Sequence, residues 1–271
     1  MRPTLALFFI LTSTFIYSQN RSDVKIYDHN YSLIDFSDSV SLENYESIYI
    51  DTDRLNFAPI SYIPSEILLL PKLKSISFVI LNDSVSGKIF SVLKQVITLE
   101  ELNIRGNNFN LTSVFEQEEY NSLGHFPIEI NSLTNLKVLK LSGHLLTSVD
   151  ISLNSLLKLE RIELFRNKFT EFPVQLLLLP NIKYLGLENN YIKILPKDLC
   201  SSSLTNLTIG RNHIKKLPLC ILTNGNLTQV MLNENFISEE LANEYLETIR
   251  ENGYPLLLNI QSQVSLEDYP K

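Results

Sequence analysis

Histidine, cysteine and acidic side chains are the residues of this chain that could carry out chemistry. The four histidines stand far apart, at His29, His125, His144 and His213. Acid–base catalysis and metal binding need such groups to converge, usually through short spacings such as HExxH, GxSxG or a glycine-rich phosphate loop. No such motif occurs here, and the acidic residues are spread as on a solvated surface. The sequence therefore predicts a protein that is not an enzyme, with no cofactor and no metal site.

The elements that carry these residues follow a repeat. Four segments align, which are LKVLKLSGHLLTSVD from Leu136, LERIELFRNKFTEFP from Leu159, IKYLGLENNYIKILP from Ile182 and LTNLTIGRNHIKKLP from Leu204. A shorter fifth, LTQVMLNENFI, begins at Leu227, and the successive starts are 23, 23, 22 and 23 residues apart. Apolar residues recur at positions 1, 4, 6 and 11 of each unit. Since positions 4 and 6 share one face of a strand, stacking the units in parallel would close one continuous core.

Position 9 of each unit is predicted to build a ladder at the turn after the strand. Asparagine usually stands there, and a buried amide can bond the backbone of adjacent turns. His144 replaces asparagine in its unit, where a turn residue bonded to the backbone is favoured over a ligand or a catalyst. In the second repeat Leu81 takes the position, which predicts a local break in the ladder. The expected ladder residues are Asp53, Asn107, His144, Asn167, Asn190, Asn212 and Asn235.

The pattern LxxLxLxxNxL followed by LPxxL resembles the leucine-rich repeat family in its 22–23-residue form. The resemblance covers residues 45 to 250, with about eight repeats that begin less regularly at Tyr45 and Leu73. It implies an α/β horseshoe solenoid with a curved parallel sheet on the concave side and irregular or short helical convex segments. It also implies binding rather than catalysis as the commonest use. The chain has too few cysteines for cysteine-rich caps, which favours an exported, bacterial-like member.

The two ends of the chain are predicted to serve export and capping. Residues 1–18 combine Arg2 with an apolar run too short to span a bilayer comfortably, which indicates a signal peptide rather than an uncleaved anchor or a buried helix. Residues 19–44 are predicted to form an N-terminal cap, with a disordered linker as the alternative. Residues 45–237 would hold the repeats. Residues 238–271 would hold a capping helix at 238–252, a last strand after Tyr254 and a loose tail.

Two features interrupt the regular units. About 14 extra residues, at 110–124, lie in the third repeat, either on a binding side or as a solvated excursion. Cys200 and Cys220 stand in successive return segments, four residues after Pro196 and two residues after Pro218. This offset predicts two separate, partly buried thiols. The alternative, in an oxidising compartment, is a disulfide between adjacent coils.

The predicted recognition surface is the concave face, whose outward residues stand at positions 3, 5, 7 and 8 of each unit. Arginine and aromatic residues are the types enriched at binding hot spots. The mixed charges and the formal net charge of −7 argue against nucleic acid as a partner. The sequence therefore predicts an exported protein, not integral to the membrane after signal cleavage, that binds another protein. The candidate contacts are Arg105, Lys140, Arg161, Glu163, Phe165, Arg166, Tyr184, Glu188, Arg211 and Met231, with Thr208 and Gln229 beside them.

Two other functions remain open at this stage. A structural or envelope component would use the solenoid only to space or scaffold other parts. A carbohydrate-binding surface protein would stack aromatic side chains along the concave groove, although the chain contains no tryptophan.

Overall fold

A single sheet runs through the part of the chain that the structure describes. The computed structural model describes residues 24–51, 60–79, 86–106, 122–149, 153–223, 226–261 and 263. Ten strands lie side by side in chain order, and the first pair is antiparallel whereas every later pair is parallel. The strands are β1 (Lys25–Asp28), β2 (Ser47–Asp51), β3 (Ser75–Val79), β4 (Glu101–Arg105), β5 (Val138–Lys140), β6 (Arg161–Glu163), β7 (Tyr184–Gly186), β8 (Asn206–Thr208), β9 (Gln229–Met231) and β10 (Leu257–Asn259).

The strand register follows the repeat numbering. Position 4 of one unit pairs with position 4 of the next, along the series Leu139, Ile162, Leu185, Leu207 and Val230. All of these side chains are fully buried. Burying one such side chain contributes roughly 1.5–3 kcal/mol, so each added coil extends the core and is stabilised by it. The α/β solenoid with a parallel sheet that the repeats predicted is confirmed.

Short 3₁₀ helices return the chain on the other side of the core. They span Ser65–Leu69, Ile128–Ser132, Val174–Leu178, Lys197–Ser201 and Leu219–Thr223. Each begins directly after a proline, which has no N–H to leave unpaired at a helix start and fixes φ near the helical value. Each buries at least one side chain in the core, such as Leu176 in Val174–Leu178 and both Ile221 and Leu222 in Leu219–Thr223. A further 3₁₀ helix spans Ser41–Asn44, and α1 (Ser86–Leu93) follows β3.

A disulfide joins Cys200 and Cys220, whose Cα atoms are 5.6 Å apart. The prediction of two separate thiols was therefore wrong. The 3₁₀ helices Lys197–Ser201 and Leu219–Thr223 pack against each other. Their packing brings the fourth residue of one beside the second residue of the other, a shift that counting from the prolines could not show. The Cα separation lies in the usual range for a disulfide.

Additional elements flank the regular repeats at both ends of the sheet. β1 pairs with the outer edge of β2, and a paired edge is not free to join another chain. At the other end, α2 (Glu239–Asn252) precedes β10. The Ser238 hydroxyl accepts the Leu241 N–H at 3.3 Å at the start of α2, and Gly253 ends the helix with a φ of 65°. The helix begins and ends where these two residues indicated.

Several predictions fall outside the described part of the chain. They concern the signal peptide at 1–18, the ladder residues Asp53 and Asn107, the ladder break at Leu81 and most of the insertion at 110–124. The division into cap, repeats and C-terminal segment also remains a prediction. Over the ranges that are described, no helix is long and apolar enough to cross a lipid bilayer.

Candidate functional site

From the fourth repeat onward, one polar side chain at the described turns bonds the backbone of two coils. At Asn190, Oδ1 accepts the Phe169 N–H at 3.1 Å, and Nδ2 donates to the carbonyl oxygens of Leu164 at 3.0 Å and Leu187 at 2.9 Å. Leaving such a buried group unpaired costs about 1–3 kcal/mol, so the ladder fixes each strand end against its neighbour. The same pattern of bonds is made by Asn167, Asn212 and Asn235.

His144 makes the ladder bonds with an imidazole. Its Nδ1 accepts the Leu123 N–H at 3.1 Å, and its Nε2 lies 3.0 Å from the carbonyl oxygen of Ile104. A carbonyl can only accept and an amide can only donate, so the ring is neutral and carries its proton on Nε2. The side chain is fully buried. Both ring nitrogens are engaged with the backbone, which makes His144 a turn residue.

Gln263 occupies the same position one coil beyond Asn235. Its Oε1 accepts the N–H groups of Asn235 at 3.2 Å and Ile237 at 3.3 Å, and its Nε2 donates to the carbonyl oxygens of Leu232 at 3.1 Å and Ile260 at 2.8 Å. The prediction of a loose tail after the last strand was wrong at this residue. Sequence reasoning missed it because this coil starts with proline and has glutamine in place of asparagine. Extending the register of β9 onto β10 would have found it.

The central strands carry arginine and aromatic side chains on the sheet face that points away from the core. The guanidinium carbon of Arg161 lies 3.6 Å from the ring centroid of Tyr184, and its Nε donates to Glu163 Oε1 at 2.7 Å. The Tyr184 hydroxyl shares a hydrogen bond of 3.0 Å with the Thr208 hydroxyl. Stacking and ion pairing together hold the planar guanidinium in one orientation. We call Arg161, Glu163, Phe165 and Tyr184 the central cluster.

Phe165 lies across Gly186 of the next strand. A Cβ atom at position 186 would overlap the outer carbons of the Phe165 ring, so only glycine leaves room for this contact. The ring is partly exposed, whereas Gly186 beneath it is buried. An aromatic side chain that is already held on the surface offers contact area to a partner at a low cost in conformational entropy.

Three of the charged candidates are paired across neighbouring coils. Lys140 Nζ lies 2.6 Å from Glu101 Oε1. Arg211 lies 3.0 Å from Glu234 and 3.9 Å from Glu188. The hydrogen bond from Arg211 lowers the pKa of Glu234, and the same bond raises the pKa of Arg211. These exposed pairs contribute little stability, and their main result is a surface with both signs of charge.

The remaining candidates lie on either side of the central cluster. Arg105 stands at the end of β4, where its positive charge lowers the pKa of Tyr49, but burial and the nearby Asp51 outweigh it and raise that pKa overall. Met231 pairs with Thr208 across β8 and β9 and is half-buried. The structure therefore brings the central cluster together, whereas Arg105 and Met231 belong to strands on opposite sides of it.

Position 8 of the unit is a left-handed turn residue, which sequence reasoning also missed. Residues other than glycine rarely adopt a positive φ. Gly143 is the one glycine at these five positions, so it alone indicated a left-handed turn in the sequence. The N–H of this residue donates to the position-7 carbonyl of the next coil, as Arg166 does to Glu188 at 3.0 Å. Arg166 and Arg211 are thus candidates whose backbone also shapes the turn. The φ angles are 77° at Gly143, 53° at Arg166, 58° at Asn189, 54° at Arg211 and 55° at Glu234.

The groups that could do chemistry stay apart from one another. His213 packs between the rings of Tyr191 and Phe236, with each ring centroid 5.6 Å away. Burial lowers the pKa of His213, and the positive charge of Lys193 adds to the effect. Among the described residues, no three His, Cys, Asp or Glu side chains are grouped so that they could hold a metal ion.

Solved structures share this fold at low sequence identity. A leucine-rich-repeat protein of Leptospira interrogans is 21% identical with a TM-score of 0.57, and the match covers 87% of this chain and 58% of that one. Internalin C2 of Listeria monocytogenes is 21% identical with a TM-score of 0.54, over 85% of this chain and 86% of that one. TLR13 in its complex with ssRNA13 is 18% identical with a TM-score of 0.58, over 86% and 32%. At these identities the likeness is one of fold.

Curated relatives match over only part of their length, and no family model matches the sequence. Ras guanine nucleotide exchange factor V of Dictyostelium discoideum is 35% identical over 121 residues, which are 39% of this chain and 6% of that protein. Probable serine/threonine-protein kinase pats1 of the same organism is 32% identical over 159 residues, which are 53% of this chain and 5% of that protein. The repeat register, the turn ladder and the solved structures together show that this chain has the leucine-rich-repeat fold.

Proposed function

We propose that this chain is an exported, non-catalytic leucine-rich-repeat protein that binds another protein through the concave face of its sheet. The central cluster is the observation that carries the proposal. Arg161 is held by both Glu163 and Tyr184, and Phe165 is held on Gly186. Side chains that are ordered before binding lose less entropy on binding, and arginine and aromatic residues dominate interface hot spots.

The charges of this face favour a protein partner over nucleic acid. Binding to a phosphate backbone requires cations that are available to neutralise phosphates. Lys140, Arg161 and Arg211 are each already paired with a glutamate. TLR13 shows that a chain of this fold occurs in a complex with RNA, so the fold alone does not decide the partner. The alternating charges and apolar rings of this sheet fit the mixed surface of a protein.

The disulfide supports export. Disulfides persist in oxidising compartments and are rare in the cytosol. The Cys200–Cys220 bond is consistent with the signal peptide predicted at residues 1–18. Mass spectrometry of the native protein tests both points, because it should find an N-terminus at Gln19 and a mass reduced by two hydrogens. An intact N-terminus with two free thiols would contradict export.

Binding by matched variants tests the concave face. Immobilised chain 19–271 is incubated with native envelope and medium, alongside a variant with Phe165→Ala, Arg166→Asn and Tyr184→Ala. Asparagine is used at position 166 because Asn189 holds the same left-handed turn in the next coil. The variant should therefore fold normally while losing the central contacts.

A control variant changes apolar residues that lie outside the sheet and are more exposed than Phe165 and Tyr184. Leu157 and Leu178 are 58% and 80% exposed, so Leu157→Ala with Leu178→Ala should cost little stability. A partner retained by the wild type and the control but lost by the central variant supports the proposal. Equal capture by all three proteins would place the binding site elsewhere. Capture by none would favour a structural scaffold.

A further inference from the structure

A second surface lies on the flank of the solenoid beside α2. It is a groove of about 1530 Å³, lined by residues 193–197 and 215–219 of two successive coils and by Leu241, Glu244 and Tyr245 of α2. Small-molecule pockets are typically about 300–1,000 Å³, so this space is larger than most such ligands need. We call it the flank groove.

The lining of the flank groove is largely apolar and remains partly open. Ile194 and Leu219 are 76% and 63% exposed, whereas Leu195 and Leu217 in the same two segments are buried. Tyr245 is buried below them, where its hydroxyl accepts the Leu217 N–H at 3.0 Å. Apolar side chains exposed together beside such a floor mark an interaction surface more often than scattered single residues do.

Four lysines stand along this groove, which are Lys193, Lys197, Lys215 and Lys216. None of the four forms an ion pair with a residue in the described ranges, whereas four other lysines in those ranges pair with glutamates of the adjacent coil at 2.6 to 3.1 Å. Of the described residues that line the groove, Glu244 is the one carboxylate. In a chain with a formal net charge of −7, the flank groove therefore concentrates positive charge beside an apolar floor.

We propose that the flank groove binds a peptide segment of another protein that carries both acidic and apolar side chains. The four lysines complement carboxylates, and the apolar floor accepts the side chains between them. A lipid acyl chain would need an enclosed cavity, whereas Ile194 and Leu219 leave this groove open to solvent along its length. The groove is separate from the central cluster, so this proposal does not depend on the proposed concave-face function.

A designed peptide tests this chemistry directly. The probe is a fluorescein-labelled peptide of alternating Leu and Glu, and two comparison peptides alternate Leu with Lys or Ser with Glu. Fluorescence anisotropy is measured with the chain 19–271. The Leu–Glu probe should bind at least about tenfold more tightly than either comparison peptide, because it alone matches both the charge and the floor. Its affinity should fall as salt is raised, since the lysines are exposed.

Charge reversal locates the binding site. Lys193→Glu with Lys215→Glu should weaken probe binding by at least about tenfold. Lys72→Glu with Lys94→Glu makes the same change of charge at exposed lysines outside the groove, and it should leave the affinity within about twofold of the wild type. The variant with Phe165→Ala, Arg166→Asn and Tyr184→Ala should also bind the probe like the wild type, which would show that the probe site is separate from the concave face.

Removal of the exposed apolar side chains tests whether the apolar lining of the flank groove contributes to binding. Ile194→Ser with Leu219→Ser keeps every charge and should weaken probe binding by about tenfold, because the leucines of the probe lose their apolar contacts. Circular dichroism should show an unchanged melting temperature. Leu157→Ser with Leu178→Ser is the matched control for exposed apolar residues outside the groove.

Three results would overturn the proposal. The first is failure of the Leu–Glu probe to bind, or equal binding of the Leu–Lys peptide. The second is undiminished binding by the Lys193→Glu, Lys215→Glu variant. The third is displacement of the probe by phosphatidylglycerol vesicles that also carry the chain with them on flotation, which would assign the flank groove to a lipid surface.

Discussion

The ring of Phe165 lies across Gly186, so two neighbouring strands share one aromatic contact on the outer face of the sheet. We expect Gly186→Ala to displace the ring and lower the free energy of unfolding by about 1 kcal/mol. In a Phe165→Ala background the same substitution should cost less, because the overlap with the Phe165 ring is gone and only the closer approach to Tyr184 remains. Urea unfolding of the four proteins measures this coupling. Strictly additive losses would show that the ring does not rest on Gly186.

His144 stands in for an asparagine of the ladder, and this equivalence can be measured. His144→Asn should change the free energy of unfolding by less than about 1 kcal/mol, since asparagine makes the same backbone bonds in the following coils. His144→Leu should cost about 2–4 kcal/mol, because it leaves the Leu123 N–H and the Ile104 carbonyl buried and unpaired. Denaturant titration separates the two. Equal losses in both variants would argue for a role of the imidazole beyond the turn.

The Cys200–Cys220 bond should stabilise the last coils. It closes a loop with a sequence separation of 20, for which restriction of the unfolded chain predicts a contribution of about 3 kcal/mol. Cys200→Ser with Cys220→Ser should lower the free energy of unfolding by that amount under oxidising conditions. Reduced wild type should unfold like the double variant. A wild type that is insensitive to reductant would count against the disulfide.

His213 should make stability depend on pH. Its pKa is lowered by burial and by Lys193, so the unfolded state binds the proton more tightly than the folded state. The stability that neutral His213 contributes is therefore fully present above an unfolded pKa of about 6.5 and is lost as the pH falls through the folded pKa. His213→Phe keeps an aromatic ring between Tyr191 and Phe236 and removes the titration. Between pH 8 and pH 5, wild type should lose more stability than this variant, and parallel losses would contradict the assignment.

The regular coils could be predicted from sequence because the buried side chains stand at the same positions in every unit. Leu139, Ile162 and Leu185 stand at one position of the repeat and pair in one register. The same numbering placed Asn167 and Asn190 at the turns where their amides bond two coils. These features depend on spacing within a unit, which the sequence contains.

The features that sequence reasoning missed depend on distances between coils. The disulfide arises from the relative shift of two short helices, and Gln263 enters the ladder only through the pairing of β10 with β9. The candidates on the concave face were chosen by position, but the stacking of Arg161 on Tyr184 is a relation between side chains of two strands. The flank groove likewise needs α2 beside two coils, and no single repeat shows it.

Photocrosslinking at Phe165 tests the central claim of concave-face binding most directly. Benzoylphenylalanine at this position keeps an aromatic ring over Gly186, and the same residue at Leu178 serves as a control on the return side of the coil. If the concave face binds the partner, irradiation in native envelope and medium should join one protein to position 165 and none to position 178. A partner joined at position 178 but not at position 165 would contradict concave-face binding.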